Sequence, residues 1–297
     1  ARTDKDSFVW DKAMGSAGFL VAAMDTMIKD AQAKIKDAYE LEKKIRNIKE
    51  NQLLGIEILG NIYMLAILNM ILMGDGSSNM INDDSFKYND GFPATVFLLN
   101  PPYSAPGKGF NFVEKALSQM TTGYACILIQ ENAGAGQGEG YTKKILQKNT
   151  LLASIRMPYK LFGGKSTVQT AIYVFQVARP HEEDDIVTFI DFSNDGYTRL
   201  SRKKSTQEVN LQNTDHALER YAEVEAIVLG KKPKTSYYTE ANGLVIKDTI
   251  TLNGDDWIFT QHQTVDDLPS EDDFKSAVEN YLSWKVSAIL KGESFDD

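Results

Sequence analysis

The sequence predicts an α/β protein built on a doubly wound, mixed β-sheet, and three observations support this fold class. Short runs rich in β-branched and aromatic residues alternate with helical segments over the first two-thirds of the chain. The 297 residues are 42% hydrophobic, which suffices for a full buried core. The longest apolar stretch, residues 62–73, is shorter than the roughly 18 residues that a membrane helix needs. We therefore expect no membrane-spanning segment.

The elements of the first half follow from local patterns. Apolar runs that end at turn or proline residues predict strands at residues 7–11, 53–59 and 95–99. Apolar residues at helical spacing predict helices from near Gly18, over residues 31–50 and over residues 61–73. The second of these helices is dense in Lys and Glu, which is typical of a solvated helix.

The second half continues the alternation up to residue 192. Helices are predicted at residues 110–120 and 141–148, and strands at residues 124–130, 153–157, 168–177 and 186–192. Residues 132–140 hold four glycines. They predict a mobile surface loop, with a loop that grips a ligand as the alternative.

The alternation fades after residue 192, which predicts a division of the chain. We expect residues 1–192 to form the α/β domain and residues 193–297 a mainly helical C-terminal extension, with helices at 215–229 and 271–290. One face of the last helix is apolar and suits packing or contact with a partner. Its residues are Phe274, Val278, Leu282, Val286 and Ile289.

The composition argues against several kinds of site. The net charge of −9 is unusual for a protein that holds duplex DNA unaided, because phosphate neutralisation needs a basic face. A DNA-acting protein of this composition would need a partner to hold the duplex.

Cys126 is the only cysteine, and the three histidines are His181, His216 and His262, which have no ligand spacing. We therefore expect a metal-free site and a reducing cytoplasm.

The motif Asn100-Pro101-Pro102-Tyr103 at the end of an apolar strand carries the strongest chemical signal. The amino group of adenine is a poor nucleophile because its lone pair is delocalised into the ring. An Asn oxygen and the carbonyl of the first proline can accept its two N–H hydrogens, and the prolines fix the φ angles that hold this carbonyl. Tyr103 offers a flat face on which an extruded base can stack. The alternative is a Pro-Pro turn that simply ends a strand.

A glycine-containing turn, DKAMGSAGF at residues 11–19, follows the first strand. Such a strand-to-helix turn lets a cofactor approach backbone amides, although several nucleotide-binding folds share it. Glu57, in the sequence GIEI, is placed to accept hydrogen bonds from ribose hydroxyls. The alternative is that Glu57 is an ordinary carboxylate at the end of a strand and binds no ribose.

Taken in order, four segments resemble the amino-methyltransferase modification subunits of type I restriction systems. The segments are DKAMGSAGF, GIEILGNIYMLAILNMILMGDG, NDDSF and FLLNPPYS, and the resemblance covers residues 7–178 well. It implies a Rossmann-like S-adenosylmethionine-dependent methyltransferase fold, with residues 1–192 as the catalytic domain. It also implies transfer of a methyl group to N6 of adenine in DNA.

The resemblance implies a role for each matching residue. Those that would bind S-adenosylmethionine are Asp11, Gly15, Ser16, Gly18, Glu57, Asp84 and Asn100. Among them, Glu57 would bind the ribose and Asp84 the adenine ring of the cofactor. The residues that would hold the target adenine and catalyse are Asn100, Pro101, Pro102 and Tyr103. Phe162 would pack against the flipped base on the side opposite Tyr103. The alternative is that Phe162 is a core residue before a loop.

The resemblance also implies partners. These are duplex DNA, a specificity subunit that reads the sequence, a restriction subunit that cleaves, and a second modification subunit. The family commonly has Pro, Cys and Gly where this chain has Lys12, Met14 and Ala17, which predicts small shifts in cofactor affinity. The family's N-terminal helical domain and its Tyr-Thr-Pro-type segment do not precede the first motif here, so we expect an open pocket and weak cofactor binding.

Other functions fit parts of the sequence. A methyltransferase for RNA bases or for a protein glutamine amide would use the same Asn-Pro-Pro-Tyr chemistry, because a planar amide poses the same problem as adenine. A nicotinamide-dependent oxidoreductase would leave Asn100 and Tyr103 unexplained, and the full G-x-G-x-x-G is missing. An inactive scaffold would not need these two residues. We expect a cytoplasmic protein of a bacterium or archaeon.

Overall fold

Helices and strands alternate along the computed structural model, which describes residues 2–74, 79–88, 91–138, 140–159, 161–162, 168–199, 211–264 and 271–290. Its strands are β1 (Val9–Asp11), β2 (Leu53–Ile56), β3 (Met80–Ile81), β4 (Val96–Leu99), β5 (Tyr124–Gln130), β6 (Thr150–Arg156), β7 (Thr170–Gln176), β8 (Val187–Asp191), β9 (Tyr197–Arg199), β10 (Leu211–Asn213) and β11 (Val245–Asp248). Its helices are α1 (Gly18–Lys34), α2 (Ala38–Asn51), α3 (Gly60–Leu72), α4 (Phe110–Leu117), α5 (Tyr141–Leu146), α6 (Ala217–Val228), α7 (Phe259–His262) and α8 (Glu271–Leu290).

A nine-stranded mixed sheet organises the described residues, in the order β11-β8-β6-β7-β5-β4-β1-β2-β3, and β9 pairs separately with β10. Strands β3, β2, β1, β4 and β5 run parallel to one another, and β6 runs parallel to β8. Strand β7 lies between β5 and β6 and is antiparallel to both, although it follows both along the chain. The predicted doubly wound mixed sheet is confirmed, and its direction of winding reverses between β1 and β4.

Apolar side chains on both faces of the sheet form the core. Val9 belongs to one face, where it shares a cluster with Leu20 and Met27 of α1. Because side chains alternate along a strand, the next residue, Trp10, belongs to the opposite face, with Phe110 of α4. Both faces are therefore covered, as the near-continuous apolar runs of the central strands require.

The predicted helix at residues 31–50 is wrong, because the chain breaks there into two helices. Helix α1 ends at Lys34, where Ile35 takes an extended conformation. Asp37 then begins α2, and its carboxylate accepts a hydrogen bond from the amide of Glu40 at 2.9 Å. This N-cap satisfies a backbone donor that the helix leaves unpaired. Strand β2 is also shorter than predicted and ends at Ile56, so Glu57 lies just beyond it.

The expected domain boundary after residue 192 needs correction. The chain divides instead into one unit at residues 1–262 and a second at residues 263–297. Strand β11 extends the sheet by pairing with β8, and Trp257 and Phe259 are fully buried in the core. The segment from residue 193 to residue 262 therefore belongs to the α/β unit, since its side chains complete that unit's core.

Helix α8 forms most of the described part of the second unit. Four residues of its predicted apolar face are exposed, namely Phe274, Val278, Leu282 and Val286. The side chain of the fifth, Ile289, lies outside the described residues. Among the described residues, none of the helices combines the length and apolarity that a bilayer crossing would require.

The glycine-rich segment 132–140 is a surface loop only in part, because Ala133, Gly134 and Gly138 are buried, whereas Asn132, Gly136, Gln137 and Gly140 are exposed. Ala133 is fully buried. A Cβ atom on Gly134 would lie 2.7 Å from the Tyr173 ring and 2.9 Å from Trp257. A Cβ atom on Gly138 would lie 2.6 Å from Thr142. The glycines therefore permit close packing of this segment.

Candidate active site

The two strongest sequence motifs leave the sheet side by side. Strands β1 and β4 are hydrogen-bonded and parallel, with Val9 opposite Val96 and Trp10 opposite Phe97. The turn after β1 and the Asn100 corner after β4 therefore start at the same edge of the sheet. This is the point where the strand order reverses, which is where open α/β sheets bind their ligands.

The turn after β1 is held against the end of β2. The amide of Met14 donates to the carbonyl of Ile56 at 3.0 Å, and the amide of Gly15 donates to Glu57 Oε2 at 3.1 Å. Gly15 has a φ of 54°, which favours glycine. A Cβ atom on Gly15 or on Gly18 would meet no atom within 4 Å. The turn is therefore fixed to the end of β2 and leaves open space beside Gly15 and Gly18.

Glu57 and Asp84, which the sequence placed at the cofactor, line one cleft of about 70 Å³. The second oxygen of Glu57, Oε1, accepts a hydrogen bond from the amide of Leu59 at 2.9 Å. Asn82 holds the same loop by donating to the carbonyl of Glu57 at 2.7 Å. The complete lining is Lys12, Ala13, Ile56, Glu57, Ile58, Asp84, Ser85 and Phe112.

Phe112 and Ser85 are lining residues that the sequence reasoning missed. Phe112 belongs to α4, so the helix after the Asn100 corner forms a wall of the cleft. Its ring meets Phe86 edge-on with a centroid distance of 4.6 Å. The sequence contained a signal for it, since FNF follows the corner closely, but helical spacing alone could not show which ring faces the cleft.

Asp11 is a buried carboxyl group at the end of β1. It is 1% exposed, and its side chain accepts a hydrogen bond from the amide of Ala13 at 3.1 Å. Burial raises the pKa of Asp11 from 3.8 to about 7, the bond from Ala13 opposes this, and the negative charge of Glu57 adds to it. The neighbouring Lys12 ammonium lies 3.9 Å over the Trp10 ring and donates to Gln119.

The Asn100 corner is rigid and chemically available. Asn100 is half-buried, and within the described part of the chain its side-chain amide makes no hydrogen bond. The Pro102 carbonyl accepts the amide of Ala105 at 3.0 Å, whereas the Pro101 carbonyl accepts none from the described residues. Gly109, with a φ of 106°, lets the backbone approach Pro101 so closely that a Cβ atom would lie 2.6 Å from Pro101 Cγ. Two acceptors that are adjacent in sequence therefore have no hydrogen-bond partner among the described residues.

Tyr103 and Phe162, which are distant in sequence, come together beside this corner. Their ring centroids are 6.5 Å apart and their planes are inclined by 60°. The Tyr103 hydroxyl is buried and has no hydrogen-bond partner in the described part of the chain, and burial raises the pKa of Tyr103 to about 12. Tyr103 is therefore neutral at physiological pH and presents an uncharged ring to its surroundings.

One known protein family matches most of the chain. The family model for N-6 DNA methylases matches residues 1–108 and 107–263. The chain belongs to the N-6 DNA methylase family. A curated relative, the type II restriction enzyme and methyltransferase RM.BcgI of Heyndrickxia coagulans, is 29% identical over 98% of the chain. The chain spans 45% of the length of that relative.

Solved structures show the same fold in other members. The M protein of the type I restriction enzyme EcoKI superposes on this chain with a TM-score of 0.62 and 17% identity, over 99% of this chain and 70% of that one. A chain of a type I restriction-modification complex gives a TM-score of 0.64 at 16% identity, over 99% of this chain and 64% of that one. The predicted methyltransferase fold, with an α/β sheet and helical parts, is confirmed.

Proposed function

We propose that this N-6 DNA methylase transfers a methyl group from S-adenosylmethionine to the N6 amino group of adenine in duplex DNA. The observation that carries the proposal is the juxtaposition of the Asn100 corner with the turn at Gly15 across the paired ends of β1 and β4. An amine and a methyl donor must meet in line at a short distance. The two neighbouring strand ends supply that proximity.

The residues around the cleft fit S-adenosylmethionine. This cofactor supplies an electrophilic methyl group on a sulfonium when it is bound. The open space beside Gly15 and Gly18 gives room for its methionine part, and a carboxyl group at Asp11 suits its ammonium. The lone pairs of Glu57 that do not bind backbone amides are available to ribose hydroxyls, and Asp84 and Phe112 would border the adenine ring.

The residues of the corner would prepare the amine. The Asn100 side-chain oxygen and the Pro101 carbonyl would each accept one N–H of the amino group, which draws its lone pair out of conjugation with the ring. The prolines and Gly109 keep these acceptors in place before the substrate arrives. Tyr103 and Phe162 would open into a parallel stack around the extruded base. The nitrogen would then form a bond to the methyl carbon while that carbon's bond to the sulfonium sulfur breaks, which would leave the cofactor as a neutral thioether. The extra proton on the nitrogen would pass to solvent.

We also propose that the protein works with partners. The net charge of −9 argues that another component holds most of the duplex. The similarity to type I subunits supports a specificity subunit, a restriction subunit and a second modification subunit as these components. Because the proposed substrate is duplex DNA, we also propose that the protein is located in the cytoplasm of a bacterium or archaeon.

The test is transfer of a tritiated methyl group to duplex DNA by the full-length protein with its DNA-recognition partner. The variant Asn100→Ala should lower kcat by about 10²-fold or more, because one preorganised acceptor is lost. Asn280→Ala, an exposed position on α8, is the matched control and should not change the rate. Equal incorporation by wild type and Asn100→Ala would refute the assignment. Incorporation into RNA or a glutamine peptide, but not DNA, would favour the alternative substrates.

A further inference from the structure

A short basic segment follows α6 and takes no part in the chemistry described above. Residues 231–234 are Lys-Lys-Pro-Lys, and we refer to them as the basic segment. Its three lysines are exposed. Residues 226–239 contain no Asp or Glu, although the whole chain has 41 acidic residues against 32 Lys and Arg. The basic segment is therefore a local positive patch on a chain whose net charge is −9.

The backbone of the basic segment is held at both ends. At its start, the amide of Lys231 donates to a carbonyl of α6 at 2.8 Å. Beyond its end, the buried carboxylate of Glu223 accepts the amide of Tyr237 at 2.9 Å, the amide of Tyr238 at 2.6 Å and the hydroxyl of Thr235. A segment fixed in this way loses little conformational entropy when it binds a ligand.

Both ends of the basic segment lie at the edge of the sheet where Asn100 lies. Strand β6 runs in the same direction as β4, because β7 is antiparallel to both β5 and β6, and β8 is parallel to β6. Met157 directly follows β6 and Phe192 directly follows β8, and both belong to one apolar cluster with Tyr238. Val228, the last residue of α6, packs against the same cluster. The basic segment therefore connects two points at this edge.

The same cluster supports the segment that carries the ring of Phe162. Leu161 packs against the cluster, and the next residue is Phe162, whose ring faces Tyr103. Strand β8 is four positions from β4 in the sheet, which is a distance of about 19 Å at about 4.8 Å per strand. Each DNA strand has a phosphate about every 3.4 Å along the helix axis, so this distance corresponds to about five base pairs. A duplex with one base extruded at Tyr103 can therefore reach the basic segment.

The chemistry of the basic segment suits phosphate groups. A lysine ammonium is a compact charge with three donors, and it contacts phosphates without reading the base sequence. An acidic surface of a partner protein would use the same charge, but the position of the basic segment beside the Tyr103 and Phe162 side of the sheet favours the substrate.

We propose that Lys231, Lys232 and Lys234 bind the phosphate backbone of the duplex a few base pairs from the extruded adenine. This inference rests on the proposed function and identifies a surface with which this chain itself holds DNA. The rest of the duplex is left to the partner that the net charge of −9 requires.

The test measures binding of duplex DNA by the full-length protein with its DNA-recognition partner, using fluorescence anisotropy at a series of salt concentrations. The variant replaces all three lysines of the basic segment by Gln. It should reduce the magnitude of the slope of log K against log salt by about 2 to 3, because each phosphate contact contributes about 0.9. The reduction should be the same on specific and unrelated duplexes. In methyl transfer the variant should raise KM for DNA about tenfold and leave kcat unchanged, since these contacts are equal in the ground state and the transition state.

The matched control replaces Lys36, Lys43 and Lys148 by Gln, which makes the same change in net charge at exposed positions elsewhere. Lys148 precedes β6 and so lies at the opposite edge of the sheet. The control should keep the slope of the wild type.

Two outcomes would overturn the inference. One is an unchanged slope in the variant, which would assign the basic segment to an acidic protein partner instead. The other is an equal reduction in the variant and the control, which the change in net charge alone would produce. Failure of the wild type to methylate any DNA would instead refute the proposed function, whereas the salt slopes test the basic segment by itself.

Discussion

Replacing Asp11 by Asn isolates the effect of a carboxyl group buried beside the cleft. The amide oxygen of Asn can accept the hydrogen bond that the amide of Ala13 now donates at 3.1 Å. The substitution therefore removes the charge with little change in shape. The variant separates two effects of an ionised Asp11: the loss in free energy of unfolding and the contribution to S-adenosylmethionine binding.

The magnitude follows from the pKa, which is 3.8 for an ordinary Asp and about 7 for Asp11 in the folded protein. Each pKa unit is worth about 1.4 kcal/mol, so ionised Asp11 costs about 4 kcal/mol in the folded state. Between about pH 4 and pH 7 the folded protein keeps a proton that the unfolded chain has lost, so this contribution to the free energy of unfolding falls as pH rises. Asp11→Asn should match the wild type near pH 4 and be more stable by up to about 4 kcal/mol above pH 7.

Urea unfolding at a series of pH values measures this difference. Glu42→Gln, an exposed carboxylate on α2, is the control and should give no such gain. Titration calorimetry gives the second half of the prediction, since Asp11→Asn should weaken S-adenosylmethionine binding at pH 8 and much less at pH 6. A stability difference that stays constant from pH 5 to pH 8 would show that Asp11 titrates normally and would refute the reasoning.

Three further predictions concern packing at the site and in the core. Gly109→Ala should lower kcat and cost at least about 1 kcal/mol, because its φ of 106° strains a side chain and its Cβ would press on Pro101. The control is Gly243→Ala, because a Cβ atom there meets no other atom and only the backbone is strained. Equal losses in kcat for the two variants would contradict a role of Gly109 in positioning Pro101. Phe112→Ala should raise the Kd for S-adenosylmethionine in calorimetry and leave Tm nearly unchanged, since the ring is half-buried. A large loss in Tm with an unchanged Kd would contradict a role of Phe112 in cofactor binding. Trp257→Ala should cost about 3–5 kcal/mol in urea unfolding, and a loss below about 1 kcal/mol would argue that the core ends before residue 257.

Much of the fold could be predicted from the sequence because the central strands are buried on both faces. The runs at β4 and β5 are apolar for this reason, and the prolines after Leu99 mark where the ladder must stop. The turns after β1 and β4 could be placed at one edge of the sheet because the carboxyl ends of parallel strands share that edge. The position of Phe162 opposite Tyr103 followed from the resemblance, and no local pattern could have shown it.

Other features depend on contacts that local patterns do not encode. Strand β11 has only four residues and an exposed end, so its pairing with β8 has no signature in the sequence. Trp257 follows Asp255 and Asp256 and starts an apolar run of only three residues, and it is buried because Phe110, Tyr173 and Phe175 surround it. Arg156 and Glu131 each look like ordinary strand-end charges until the sheet order brings them within 3.5 Å.

The late position of β7 along the chain has a consequence for synthesis in the cell. A ribosome delivers β5 and β6 before the strand that must pair with both of them. Until residues 170–176 emerge, each of these strands presents an unsatisfied edge to other chains. Nascent chains of this protein should therefore depend on chaperones at that length, and a stalled product that ends before β7 should aggregate rather than accumulate as a folded half.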